Sequence, residues 1–184
     1  DISQIDISNE ATSKGSYRHF MEKEIYEQPD AILNTIDGRV GGDDVLDNIF
    51  GLGSSEVFAK VKRIQIVACG TSLHAGRVAA NWLSAISELP AQIDYASEYR
   101  YRNPHVDEDS LLVTISQSGE TADTLAALRY GKEKNYLSTL TICNVPTSAL
   151  ARESDYSIFT NAGPEIGVAS TKAFTTQLAA LMLL

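Results

Sequence analysis

The chain has 184 residues, enough for one well-packed core and too few for two comfortable domains. Hydrophobic residues make up 43% and charged residues 21%, ordinary composition for a soluble globular protein. The net charge of −9 argues against a nucleic-acid partner, which would favour a basic face, but not against an anion held locally by backbone N–H groups.

In chain order, residues 1–14 are polar apart from Ile2, Ile5 and Ile7 and read as a linker or tail. Tyr17–Thr35 has helical spacing, with Pro29 breaking or restarting it. Val45–Val61 gives one or two short helices around Gly51 and Gly53. The run "GLGSSE" there lacks the third glycine and the preceding strand of a dinucleotide loop, and reads as a plain loop. Arg63–Gly70 is a strand ending on glycine. Thr71–Leu89 is a helix with Ala75, Val78, Ala79, Trp82 and Ile86 as its stripe. "QIDYA" and "SLLVTIS" follow as strands, the second apolar enough to be covered on both faces. Gly119–Asn135 is a helix, "STLTICNV" a strand, then come a short helix and the strand "YSIFTNAG". A last helix starts near Ser170. Its Phe174, Leu178, Leu181, Met182 and Leu184 form a stripe expected to be covered by a neighbour outside the chain. This alternation predicts an α/β fold, a parallel sheet between two helical layers with right-handed crossovers.

No secretory leader opens the chain, and no apolar stretch is long enough to span a membrane. Both ends look cut, which predicts a piece of a larger protein. Cys69 and Cys143 each end or interrupt an apolar run and read as buried thiols in a reducing compartment, the cytoplasm; neither has metal-site spacing. No metal or other cofactor is expected.

Ligands of such sheets bind outside the carboxyl ends of the strands. Three junctions there are rich in small polar residues: Gly70-Thr71-Ser72, Ser116-Gln117-Ser118-Gly119-Glu120-Thr121, and Gly167-Val168-Ala169-Ser170-Thr171-Lys172 after Asn161-Ala162-Gly163. Each leads into a helix N-terminus with orphan N–H donors and partial positive charge. Glycine permits close approach, and hydroxyls add donors without bulk, so the set suits a phosphate better than a cation. Any one junction alone reads more readily as an ordinary N-cap or turn; three on one sheet edge shift the balance.

The segments "ACGTS" (68–72), "SQSGETADTLAALR" (116–129), "ICNVP" (142–146), "RESD" (152–155) and "NAGPEIGVASTKAFTTQL" (161–178) resemble the isomerase half of the glutamine–fructose-6-phosphate aminotransferases. "YRHFMEKEIYEQP" (17–29) resembles the helix that opens that half. The match runs from about Gly15 to the end and corresponds to the first of two sugar isomerase (SIS) domains. The resemblance implies a five-stranded parallel sheet in a three-layer αβα sandwich over residues 15–184, truncated within its last helix. Residues 1–14 would then link to an upstream glutaminase domain. It further implies that Ser72, Ser116, Gln117, Ser118 and Thr121 hold the phosphate of fructose 6-phosphate or glucosamine 6-phosphate. Thr71 and the backbone of Val168 would face the sugar hydroxyls. The family's base, lysines and ring-opening histidine lie in a second SIS domain, partly of a partner subunit, and in a C-terminal tail, so no catalytic residue is expected here. A homodimer is implied.

Other polar residues receive plainer readings. Glu120 is structural or orienting, because a carboxylate facing phosphate would be repelled. His74, His19 and His105 are surface residues. Lys172 stands equally as an anion contact and as half of an ion pair. Two rivals remain: a SIS-family sugar-phosphate deaminase or deglycase, and a non-enzymatic SIS sugar-phosphate sensor. The polar residues before Gly15 argue against the first; "YRHFMEKEIYEQP" and "GVASTKAFTTQL" argue against the second.

Overall fold

The computed structural model describes residues 13–184, so most of the expected linker lies outside the described residues. Its five-stranded parallel sheet has the order β4-β3-β5-β6-β7, from β3 (Arg63–Ala68), β4 (Ala91–Tyr95), β5 (Ser110–Ser116), β6 (Ser138–Cys143) and β7 (Tyr156–Phe159). β5 and β6 are buried along their whole length, as their unbroken apolar and hydroxyl runs require.

Side-chain alternation divides the core. Ile64, Ile66, Ala68, Leu111, Val113, Ile115, Leu140 and Ile142 face helices α4 (Gly70–Ile86) and α8 (Lys172–Met182). Val67 and Leu112 face α5 (Ala96–Arg102), α6 (Ala122–Lys132) and α7 (Ala149–Glu153). This is the expected αβα sandwich. On the second face the buried hydroxyls Thr114 and Thr141 bond in series with half-buried Ser154, Thr114 Oγ1 to Thr141 Oγ1 at 2.6 Å and Thr141 Oγ1 to Ser154 Oγ at 2.5 Å, so no hydroxyl of this row is buried unpaired.

Before the sheet, the first helical segment divides into α1 (Phe20–Tyr26) and α2 (Gln28–Ile36). The junction is Glu27, and Pro29 sits in the first turn of α2, where its missing N–H costs nothing. The expected break is therefore a restart. The stretch after it holds a small antiparallel hairpin, β1 (Val40–Gly41) with β2 (Asp44–Val45), and only one short helix, α3 (Ser54–Phe58).

Two expectations need correction. α5 follows β4 directly, where no helix was expected. The stripe on α8 is not left uncovered: Leu181 is buried, and Phe174, Leu178 and Leu184 pack against the same core, with α2 and α4 alongside. Of the named residues only Met182 is exposed. Among the described residues no helix is long and apolar enough to cross a membrane.

Candidate functional site

The chain leaves β3 outward to β4, then returns across β3 to β5. Such a reversal, outside the carboxyl ends of β3 and β5, is the usual ligand position in an open α/β sheet. Ala68 is level with Ile115 in the last rung, so the loops that follow run side by side. One is the direct passage through Cys69 into the first turn of α4, Gly70–Ser72. The other is Ser116–Thr121, entering α6.

Neither helix start is capped by a side chain of its N-cap residue, Cys69 for α4 and Thr121 for α6. The first donors turned into the helices are Leu73 N, to Cys69 O at 3.3 Å, and Leu125 N, to Thr121 O at 2.9 Å. The N–H groups ahead of them have no acceptor within their helices and carry the positive end of the dipole.

The loop after β5 is fixed by its own small side chains. Ser116, buried, accepts Gly119 N–H on Oγ at 3.1 Å and shares a 2.9 Å hydrogen bond with Thr121 Oγ1. Ser118 Oγ accepts Glu120 N–H at 3.2 Å. Gly119 turns with φ +67°, and a Cβ there would overlap Ser148 Oγ and Cβ, so the chain passes where only glycine fits. Asn144 N–H donates to Gln117 O at 3.0 Å and Leu150 N–H to Gly119 O at 3.1 Å, pinning the loop to the neighbouring crossover. Glu120 turns its carboxylate to Ala149 N–H at 2.7 Å, the first residue of α7, in keeping with a structural role. In the first turn of α4 Ser72 is buried and Thr71 exposed.

The third junction differs from the first two. Glu165 Oε1 accepts the N–H groups of Thr171 at 2.8 Å and Ala173 at 3.2 Å, so the start of α8 already holds a carboxylate. The sequence pattern suggests three comparable helix starts; one of them is filled by Glu165. Val168 stands fully exposed on the loop before α8.

These features match a known protein architecture. The SIS domain model matches residues 57–184. The chain belongs to the SIS domain family. It is 62% identical over 175 residues to the glutamine–fructose-6-phosphate aminotransferase (isomerizing) of Pseudomonas aeruginosa, covering 95% of this chain and 29% of that protein. Against the enzyme of the same name from Pseudomonas syringae pv. tomato it is 58% identical over 184 residues, covering 100% of this chain and 30% of that protein. Among solved structures, the C-terminal domain of glucosamine-fructose-6-phosphate aminotransferase from Francisella tularensis superposes with a TM-score of 0.90 at 53% identity, covering 93% of this chain and 48% of that one. The chain thus spans about 30% of the length of the curated relatives it matches.

Within this SIS domain, Thr71 and Ser72 lie in the first turn of α4, Ser116 ends β5, and Gln117, Ser118 and Thr121 lie on the loop that follows it, all beside the β3–β5 reversal, whereas Val168 lies on the separate β7–α8 loop. Lys172 resolves to an ion pair: its Nζ is 2.7 Å from Glu27 Oε2, with the ammonium side chain buried. His74, His19 and His105 are exposed. Burial pushes the Cys143 thiol up, despite hydrogen bonds with Ser148 Oγ and Val145 O, so it is a poor source of thiolate. Cys69 is only half-buried, less covered than its apolar flank suggested. Among the described residues no group of three or more His, Cys, Asp or Glu side chains could hold a metal ion.

Three residues that carry no role in the sequence pattern organise this SIS edge. Asn144 joins the two loop systems: its N–H bonds Gln117 O, its Oδ1 accepts Ala162 N–H at 2.8 Å, and its Nδ2 donates to Gly163 O at 2.7 Å. Its place one residue past β6, inside "ICNVP", was the available signal. Glu24 and Glu165 hold the β7–α8 loop. Nothing local marks Glu24, because its partners lie 142 and 143 residues away.

Proposed function

We propose that this chain is the sugar-phosphate-binding part of the isomerase half of a glutamine–fructose-6-phosphate aminotransferase, which forms glucosamine 6-phosphate and glutamate from fructose 6-phosphate and glutamine. One observation carries the reading. At the β3–β5 reversal, two helix starts free of side-chain caps meet a loop of hydroxyls built around buried Ser116. Such an arrangement offers N–H and O–H donors to a dianion.

Ser72, Ser116, Gln117, Ser118 and Thr121 take the phosphate in this reading; Thr71 and the main chain of Val168 take the sugar hydroxyls. The phosphate anchors one end of the open-chain sugar and directs C1 and C2 away from the sheet. Moving a proton between those carbons needs a general base. The base belongs to the rest of the protein, a second SIS domain and C-terminal tail, with the ammonia coming from a glutaminase domain joined through residues 1–14. The whole works as a cytoplasmic homodimer. Anchoring by itself supplies binding, which does not lower the chemical barrier. The chain alone therefore makes no glucosamine 6-phosphate.

Calorimetric titration tests the reading. The chain should bind fructose 6-phosphate or glucosamine 6-phosphate weakly, and glucosamine not measurably. Equal affinity for glucosamine and glucosamine 6-phosphate would overturn it.

A further inference from the structure

We propose that Glu24 is a positioning residue for sugar binding: a buried carboxylate on α1 that fixes the loop carrying Val168. The proposal rests on the reading that the Val168 main chain faces the sugar. Glu24 is 2% exposed. Its Oε1 accepts Ile166 N–H at 2.6 Å and Gly167 N–H at 3.0 Å, and its Oε2 lies 3.2 Å from the same Gly167 nitrogen. Hydrogen bonds to an ionised carboxylate are about twice as strong as neutral ones.

The clamp is tight. A Cβ on Gly167 would lie 2.5 Å from Glu24 Oε2 and 3.4 Å from the Met21 backbone, so any side chain there would push the carboxylate out of its present position. On the far side, Glu165 accepts Ser170 Oγ at 3.2 Å and Thr171 N–H at 2.8 Å. Two carboxylates thus pin the chain on either side of Val168 and Ala169, which are exposed. The main chain of a two-residue tip held at both ends has little freedom, and preorganisation of this kind lowers the entropy lost on binding. Glu24 meets the sugar nowhere; it acts through the loop.

The test uses the intact aminotransferase that contains this chain. In Glu24→Gln, the amide oxygen at the Oε1 position can still accept Ile166 N–H and Gly167 N–H, but both bonds lose their charge assistance and the NH2 group that replaces Oε2 confronts the Gly167 donor. The KM for fructose 6-phosphate should rise about tenfold, the order expected for one charge-assisted hydrogen bond. The kcat should stay within about twofold, and glutamine hydrolysis without sugar should be unchanged. Amide hydrogen exchange at Ile166 and Gly167 should quicken about tenfold on the same reasoning. Gly167→Ala, which opens the clamp from the loop side, should do the same and serves if Glu24→Gln folds poorly. Ser116→Ala is run in parallel and should raise KM without altering exchange at Ile166 and Gly167. If Glu24→Gln and Gly167→Ala keep wild-type KM while Ser116→Ala raises it, the proposal falls and the functional reading stands. A loss of kcat with KM unchanged marks a merely structural glutamate and also overturns it. Wild-type sugar kinetics in Ser116→Ala would overturn the functional reading, and the proposal with it.

Discussion

Replacing Gly119 by alanine perturbs the loop after β5 at its tightest point. The residue has φ +67°, and left-handed backbone costs an L-residue about 1–2 kcal/mol. The added methyl would also occupy the space of Ser148 Oγ and Cβ. Ser148 is the N-cap of α7, its Oγ accepting Ala151 N–H at 3.4 Å, and displacing a serine cap costs about 1 kcal/mol. Together these give roughly 2–3 kcal/mol. At about 2.1 cal/mol/K of unfolding entropy per residue, a chain of 184 residues has an entropy near 0.4 kcal/mol/K, so Tm should fall roughly 5–8 °C. Thermal unfolding followed by circular dichroism measures this. Guanidinium titration should show a lower midpoint with unchanged slope. Ser148→Gly alone should cost only a few tenths of a kcal/mol, because glycine is tolerated as an N-cap. Combined with Gly119→Ala it should recover the steric share and leave the φ penalty. A Tm within about 1 °C of wild type for Gly119→Ala would refute the reasoning. Full recovery in the double variant would refute the assignment of strain to φ.

Further outcomes concern other sites. In the intact enzyme, Thr121→Ala should raise the KM for fructose 6-phosphate roughly 10- to 100-fold, one hydrogen bond to a charged group, while sugar-free glutamine hydrolysis survives; steady-state kinetics decide it. Lys172→Ala should cost about 1–2 kcal/mol by denaturant titration. That is less than for a fully buried pair, because Glu27 keeps partial contact with water and lies 3.5 Å from Lys23 Nζ. Burial would raise the Asp155 carboxyl, but hydrogen bonds from the Thr139 hydroxyl and N–H, with Lys132 and Ser138 behind them, hold it below the usual carboxylate range. A depressed folded pKa stabilises above the unfolded value near 4, and that contribution is lost as pH falls through the folded value. The gap in stability between wild type and Asp155→Asn should therefore shrink below about pH 4; a gap independent of pH would refute this.

The central strands β5 and β6 were legible because they are covered on both faces. "SLLVTIS" has no polar interruption that solvent would demand, and β5 spans those seven residues. α5 was hidden because "ASEYRYR" has only Ala96 and Tyr99 to bury, too few for a stripe. The hairpin at Val40–Val45 has two exposed residues per strand and therefore no alternation; only the Gly41-Gly42 pair marked its turn. At the site, small polar residues after β3 and β5 were readable from sequence, since their local conformation needs glycine and hydroxyls. The occupied start of α8 was not: "GVASTK" looks like an open helix entrance until Glu165 folds back onto it.

The long reach from α1 to the β7–α8 loop also bears on biosynthesis. Glu24 emerges from the ribosome 142 residues before Ile166. At about 5–20 residues per second, α1 waits on the order of 7–30 s for its partners. Throughout that interval its carboxylate lacks the Ile166 and Gly167 donors it holds in the folded chain. A chain stalled before residue 166 could complete β3 to β7 while Glu24 still lacked both donors. The Glu24 clamp can thus close only after every strand of the sheet has been synthesised.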